Sequence, residues 1–276
     1  MEVALNVLVP SFHSFLTSRS ALLLTSRILS LSILIQTLEL IALRSVMSPQ
    51  GVWRWSDLKE DFESANTLTR KVLGLLCDYP NFLIVLLLRL TAALFLLISI
   101  HPFILLILLL TTTLILVRWR GSFNGGSDYM TLVVISALLI SQLFPGRGSF
   151  AIGALWYITF QVCASFFKAG FYKILRPNWR QGLALRGFLI SSIYRESWFV
   201  QFFCQSPRLL FMASWIVILL ECSFPLALIH PGWCATYIGM AIAFQIGNIY
   251  FFGLNRFLFA WLAAYPALFY CSGRLF

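Results

Sequence analysis

Long apolar segments alternate with short polar ones along the chain, and this pattern predicts a bundle of transmembrane helices. A membrane-spanning helix needs about 20 mainly apolar residues, and by that measure the sequence contains about eight spans. They are approximately Ala21–Ile41, Asn81–Ile100, Pro102–Val117, Tyr129–Phe144, Ser149–Leu175, Leu209–Ile229, Trp233–Phe252 and Phe257–Cys271. His101 and Pro102 separate the second span from the third without a true loop, so a tight hairpin or a broken helix is expected there. The predicted fold class is all-α, a polytopic transmembrane helix bundle.

Composition supports this prediction and excludes a soluble globular protein. Of the 276 residues, 60% are hydrophobic and only 11% are charged, which leaves too little polar surface to cover a globule. Two polar stretches interrupt the spans. Residues 45–79 are expected at the membrane surface, with Trp53 and Trp55 as interfacial anchors. Residues 180–208 alternate arginines with large apolar side chains, a pattern typical of amphipathic helices that lie in the interface. A single transmembrane domain, residues 1–276, is therefore expected, with membrane lipid around it.

The net charge of +10 is explained by membrane topology, so nucleic acid is not an expected partner. Most basic residues fall on one side of the predicted spans: Arg44, Arg54, Lys59, Arg70, Lys71, Arg118, Arg120, Lys173, Arg176, Arg180, Arg186, Arg195, Arg208 and Arg256. The other side carries Arg19, Arg147 and Arg274. Because cytoplasmic loops are enriched in Lys and Arg, the first side is predicted to be cytoplasmic and both termini to lie outside the cytoplasm.

The fifth predicted span carries two lysines near its end, Lys168 and Lys173. Pro177 lacks an amide donor and should stop this helix near Leu175. Gly170 lies about one turn before Lys173 on the same face, so a partner helix or a flat ligand can approach the ammonium closely. Two interpretations of Lys173 follow. It is an interfacial anchor that extends to the lipid headgroups, or it is a base whose charged form is disfavoured by burial.

Further polar residues within or beside the spans are candidates for function. Four charges occur inside predicted spans: Arg27, Glu39, Arg89 and Glu221. Two bases and two acids predict pairing inside the bundle, either as structural ion pairs or as a functional relay. Asn124 and Asp128 belong to a glycine-rich turn before the fourth span, and by position alone Asp128 is predicted to be a helix N-cap.

Sequence motifs of soluble enzymes and of metal sites are absent. The chain contains no G-x-S-x-G, H-E-x-x-H, Walker or dinucleotide-binding sequence. Its six cysteines are scattered singly, and its three histidines are too far apart to suggest a ligand set, so no metal is expected. Catalysis in this chain would depend on lysine and carboxylate side chains.

Three stretches resemble the HTTM family, whose characterised member is the membrane portion of vitamin K-dependent gamma-carboxylase. They are Phe123–Met130 with Phe144-Pro145-Gly146, Phe167–Leu175 with Trp179 and Gly182, and Glu221–Leu226 with Gly253–Phe257 and Leu262–Tyr265. The stretch around Lys173, Trp179 and Gly182 is the most specific. The resemblance is best over residues 123–272 and implies a stand-alone member without the carboxylase's soluble domain.

This resemblance implies an enzyme in which Lys173 is the base that deprotonates a reduced quinone such as vitamin K. The other site residues assigned with it are Asp128 and Asn124 as catalytic candidates, and Phe167, Gly170, Tyr172, Trp179 and Gly182 as substrate-binding candidates. Glutamate carboxylation itself is not expected, because the family's functional histidine has no counterpart in Asn124–Tyr129. The alternative is a non-catalytic membrane subunit, or a partner in peptide maturation and assembly, that acts with a separate soluble or membrane chain.

Overall fold

The computed structural model describes residues 16–119, 125–144, 147–192 and 196–275, and within these ranges the chain is helical without strands. The α-helices are α1 Ser18–Ala42, α2 Arg44–Met47, α3 Trp55–Leu58, α4 Thr67–Cys77, α5 Asn81–Ile98, α6 Pro102–Trp119, α7 Gly125–Leu143, α8 Gly148–Leu175, α9 Pro177–Arg180, α10 Leu183–Ser191, α11 Trp198–Gln205, α12 Pro207–Ser223, α13 Pro231–Phe252 and α14 Asn255–Cys271. Short 3₁₀ helices occupy Lys59–Phe62 and Phe224–Leu228. The all-α prediction is confirmed.

Seven of the described helices are long and apolar enough to cross a membrane: α1, α5, α6, α7, α8, α12 with its 3₁₀ continuation, and α13. The shorter α14 runs antiparallel to α1. Asn255 at its start donates a hydrogen bond to Glu39, and Arg274 just beyond its end donates to the Leu16 carbonyl at 3.3 Å. All eight predicted segments are therefore helical, but only seven of these helices are long and apolar enough to span a membrane. The chain is a multi-pass integral membrane protein.

Two local predictions about helix ends are also confirmed. Helix α5 ends at Ile98 and α6 begins at Pro102, so a tight hairpin joins them. Helix α8 ends at Leu175, and Pro177 begins the separate helix α9. The short helices α9, α10 and α11 follow one another before α12, in the stretch where interfacial helices were predicted.

Small and aromatic residues bring the end of α8 against two neighbouring helices. Ala263 and Ala264 of α14 are fully buried, and small residues allow helices in membranes to approach closely. The Phe166 ring of α8 stacks on Phe224 with centroids 4.0 Å apart, and it contacts the Trp261 ring edge-on at 4.8 Å. This packing sets the position of the last two turns of α8, where Lys173 lies.

Candidate functional site

Lys173 forms an ion pair with Glu221, which comes from α12. Its Nζ donates to both carboxylate oxygens, at 2.6 and 2.5 Å. The Lys173 side chain is 18% exposed and that of Glu221 only 4%. The ammonium of Lys173 is therefore held by a buried carboxylate, and the interpretation of this lysine as an interfacial anchor stays a prediction. Two residues that the sequence offered as separate candidates form one site.

The close approach expected at Gly170 is made by a helix. A Cβ atom at this position would lie 2.6 Å from the Cys222 amide nitrogen and 2.8 Å from both the Cys222 Sγ and the Glu221 Cβ. Only a glycine allows α8 and α12 to meet at this distance. The missing side chain at Gly170 thus brings the Glu221 carboxylate within reach of Lys173.

Beyond the helix stop, Trp179 contacts Lys173, and Gly182 packs on α12 farther from the ion pair. The Lys173 Nζ lies 5.1 Å from the centre of the Trp179 ring, within the range of a cation–π interaction. The Trp179 carbonyl accepts a 2.5 Å hydrogen bond from Ser214 of α12. Gly182 has a φ of 77°, which favours glycine, and a Cβ there would lie 2.7 Å from the Leu210 carbonyl carbon. Lys173, Trp179 and Gly182 thus contact α12 at three successive positions along its length.

The remaining substrate-binding candidates lie on the exposed side of α8. Phe167 is exposed and packs against Phe171 with ring centroids 6.1 Å apart. Tyr172 is exposed too, and the Lys168 ammonium lies 6.0 Å from its ring. Gly170, in contrast, is buried against α12. The proposed contact of Phe167 and Tyr172 with a substrate stays a prediction.

Asp128 belongs to a second polar cluster, which is buried. Its carboxylate accepts a 2.5 Å hydrogen bond from Gln36, whose amide oxygen accepts at 2.6 Å from Arg89. Arg89 also donates to Thr37 at 2.9 Å. The N-cap prediction for Asp128 is wrong, because α7 begins at Gly125 and Asp128 lies in its first turn. Asn124 lies outside the described residues.

Gln36 and Thr37 are site residues that sequence reasoning missed. They lie in α1 within one turn of Glu39, so three of the four residues 36–39 are polar in an otherwise apolar span. This group of polar residues indicates a buried site. The prediction was limited to charged residues and therefore did not include the two neutral ones. In a membrane such groups are as informative as charges, because each needs an internal partner.

Within the described residues both predicted intramembrane acids are paired, but their partners are not the predicted bases Arg27 and Arg89. Glu221 pairs with Lys173, and Glu39 accepts a 2.9 Å hydrogen bond from the Arg256 Nε. Arg89 has no direct contact with a carboxylate among the described residues, and Gln36 bridges it to Asp128 through two hydrogen bonds. Arg27 is exposed and has no hydrogen-bond or ion-pair partner within the described ranges.

The clusters differ in what they can do chemically. An arginine keeps its proton under all ordinary conditions, so Arg89 and Arg256 carry fixed positive charges. A lysine can release its proton, and the Lys173–Glu221 pair therefore combines a removable proton with an adjacent acceptor. Across the described residues, no group of three His, Cys, Asp or Glu side chains has the arrangement of a metal site.

Comparison with known proteins adds no family assignment to this geometry. No family model matches the sequence, and neither a curated protein nor a solved structure matches the chain. The likeness of the Lys173 stretch to the HTTM family therefore stays a prediction that rests on the residues themselves.

Proposed function

We propose that this membrane protein removes a proton from a lipophilic hydroxyl compound such as a quinol, with Lys173 as the base and Glu221 as the neighbouring proton acceptor. The observation that supports the proposal is the Lys173–Glu221 pair itself. Among the charge clusters in the described spans, it alone has a cation that can give up its proton. In the carboxylase that the stretch around Lys173 resembles, the lysine corresponding to Lys173 is regarded as the base.

The reaction begins by moving a proton within the pair. In an apolar environment two separate charges are costly, which brings the neutral amine and carboxylic acid closer in free energy to the ion pair. The neutral Nζ of Lys173 then accepts the hydroxyl proton of the substrate. The substrate O–H bond breaks, an N–H bond forms, and the electron pair stays on the substrate oxygen. The acid proton of Glu221 finally leaves to water.

The proposed access to Lys173 is from the side that α12 does not cover. The Lys173 side chain as a whole is 18% exposed, and its ammonium lies beside the Trp179 ring. Phe171 and Tyr172 are exposed on the same two turns of α8 and offer apolar, aromatic surface. A flat ring approaching from the lipid can pack on such surface while its hydroxyl reaches the amine.

Turnover of a reduced quinone tests this function. The purified protein in air is expected to convert reduced vitamin K to an oxidised product, with dioxygen accepting the two electrons. Lys173→Ala is expected to reduce the rate by about 10²- to 10⁴-fold, the usual contribution of a general base. Glu221→Gln should also reduce it, because the amide cannot accept the lysine proton.

Lys168→Ala provides the matched control, since Lys168 lies on the same helix with an exposed side chain. It should retain the wild-type rate. The unfolding midpoints of the wild type and Lys173→Ala are compared first, to show that both proteins are folded. If the midpoints are the same, equal turnover by the two proteins would refute the proposed role of Lys173.

Arg27 favours a second candidate function, that of a subunit in a membrane complex. It lies about 14 Å along a helix of about 37 Å, on an exposed face. A charge near the centre of a span costs about 2.5–3.5 kcal/mol on insertion scales unless it finds a partner. The carboxylates of the described spans, those of Glu39, Asp128 and Glu221, already have partners. A separate transmembrane chain with a carboxylate would complement Arg27.

A further inference from the structure

A cavity of about 750 Å³ opens where α1 begins, α5 ends and α8 begins. Its polar lining includes Arg19, Arg147, Ser141 and Gln142. Its apolar lining includes Leu22, Leu23, Ile98 and Phe144. The volume lies within the range of small-molecule sites, about 300–1,000 Å³. One cavity is therefore lined by two arginines and by a set of apolar side chains.

Both arginines in this cavity lack a charge partner. None of the described residues that line it is acidic. Neither Arg19 nor Arg147 has a side-chain hydrogen bond or ion pair within the part of the chain that the structure describes. Arg274, by contrast, is engaged by the Tyr270 ring at 3.8 Å and by the Leu16 carbonyl. Arg19 and Arg147 are both exposed, and two unpaired arginines lining the same cavity give it a positive potential that favours an anion.

The start of α8 adds to this potential. Gly148 lines the cavity as the first residue of a 28-residue helix, and the preceding Arg147 makes no capping hydrogen bond with its side chain. The free amide groups of such a helix start carry partial positive charge. Arginine and backbone amides together are the groups that proteins use to hold phosphate.

We propose that this cavity binds the phosphate group of an anionic phospholipid. The phosphate lies between Arg19 and Arg147, and the acyl chains follow the apolar wall of Leu22, Ile98 and Phe144 towards the bilayer. The apolar wall distinguishes a lipid from a free phosphate compound, which needs no such surface. The site is independent of the proposed reaction, because Gly148 and Lys173 are about 38 Å apart along α8.

Thermal unfolding of the purified full-length protein in detergent tests the proposal. Dioleoylphosphatidylglycerol at saturation is expected to raise the unfolding midpoint by about 5 °C, the order expected when a ligand binds only the folded state. Dioleoylphosphatidylcholine should have a smaller effect, because its headgroup carries no net charge. The double variant R19Q/R147Q should lose the difference between the two lipids.

The control variant R44Q/R208Q removes two exposed arginines that do not line the cavity, and it should respond like the wild type. An equal response of R19Q/R147Q to dioleoylphosphatidylglycerol would overturn the site. If inorganic phosphate alone reproduces the stabilisation in the wild type and not in R19Q/R147Q, the anion site is correct and its assignment to a lipid is wrong. Should the double variant not fold, R19Q and R147Q are measured singly. Each is then expected to lose about half of the shift, and a full shift in both would overturn the proposal.

Discussion

Replacing Gly170 with alanine should separate the two helices that hold the Lys173–Glu221 pair. The new Cβ would lie 2.6 Å from the Cys222 amide nitrogen, well inside the 3.4 Å at which ordinary van der Waals contact begins. The atom that it meets is backbone, so the clash cannot be relieved by turning a side chain. Overpacking of this kind costs about 1–3 kcal/mol, while alanine restores up to about 1 kcal/mol of helix propensity. With the full propensity gain the net loss of stability is about 0–2 kcal/mol, which is about 1–3 kcal/mol below an alanine substitution that meets no clash.

Gly153 provides the matched control because it lies in the same helix with no atom within 4 Å of the position that its Cβ would take. Gly153→Ala should leave stability unchanged or raise it by up to about 1 kcal/mol. Equilibrium unfolding in mixed detergent micelles compares the two variants with the wild type.

The same substitution should also affect turnover. A displacement of about 1 Å can cost about 100-fold in rate when it misplaces a catalytic group, so Gly170→Ala should oxidise quinol more slowly than Gly153→Ala. Equal stability of the two variants would refute the close packing of α8 on α12. If the two variants also had equal turnover, the inference that Gly170 brings Glu221 within reach of Lys173 would be refuted.

Two further predictions concern the complex and the orientation. A synthetic polyleucine transmembrane helix with one central glutamate should associate with the wild type in liposomes several-fold more strongly than with Arg27→Leu. The reason is that interhelical polar contacts contribute about 1–2 kcal/mol. Equal association would exclude a charge-paired partner at Arg27. A membrane-impermeant maleimide should label half-buried Cys204 only from the cytoplasmic side, and labelling from outside would contradict the predicted orientation. Cys77 should stay unlabelled from either side, because burial raises the pKa of its thiol to about 12.

Hydropathy was enough to predict the helices, and it was not enough to predict which of them meet. Each span is specified by its own apolar residues and by local stops such as Pro177, so the eight segments follow from the sequence directly. Which side chains pair depends on which helices are neighbours and on their relative register. The sequence does not contain this information directly. The structure pairs Glu221 with Lys173 and Glu39 with Arg256, two cations that the sequence placed near the ends of spans.

The candidate site was predictable in part, through Gly170 and the Lys–Trp–Gly spacing. A glycine one turn before Lys173 indicated a close approach on that face, and the structure shows α12 there. That Glu221 would be the residue brought in could not be predicted, because it is 48 positions away in the chain. The role of Asp128 was misassigned for the same reason, since its partner Gln36 comes from another helix.

Proton abstraction by Lys173 is the central claim, and anaerobic binding of a reduced quinone tests it most directly. Without dioxygen no oxidation follows, so the absorbance of the quinol anion reports the proton transfer alone. The wild type and Lys168→Ala are expected to produce the anion spectrum at neutral pH, whereas Lys173→Ala should leave the quinol neutral. A quinol that stays neutral in the wild type, or an anion that forms equally with Lys173→Ala, would contradict the account.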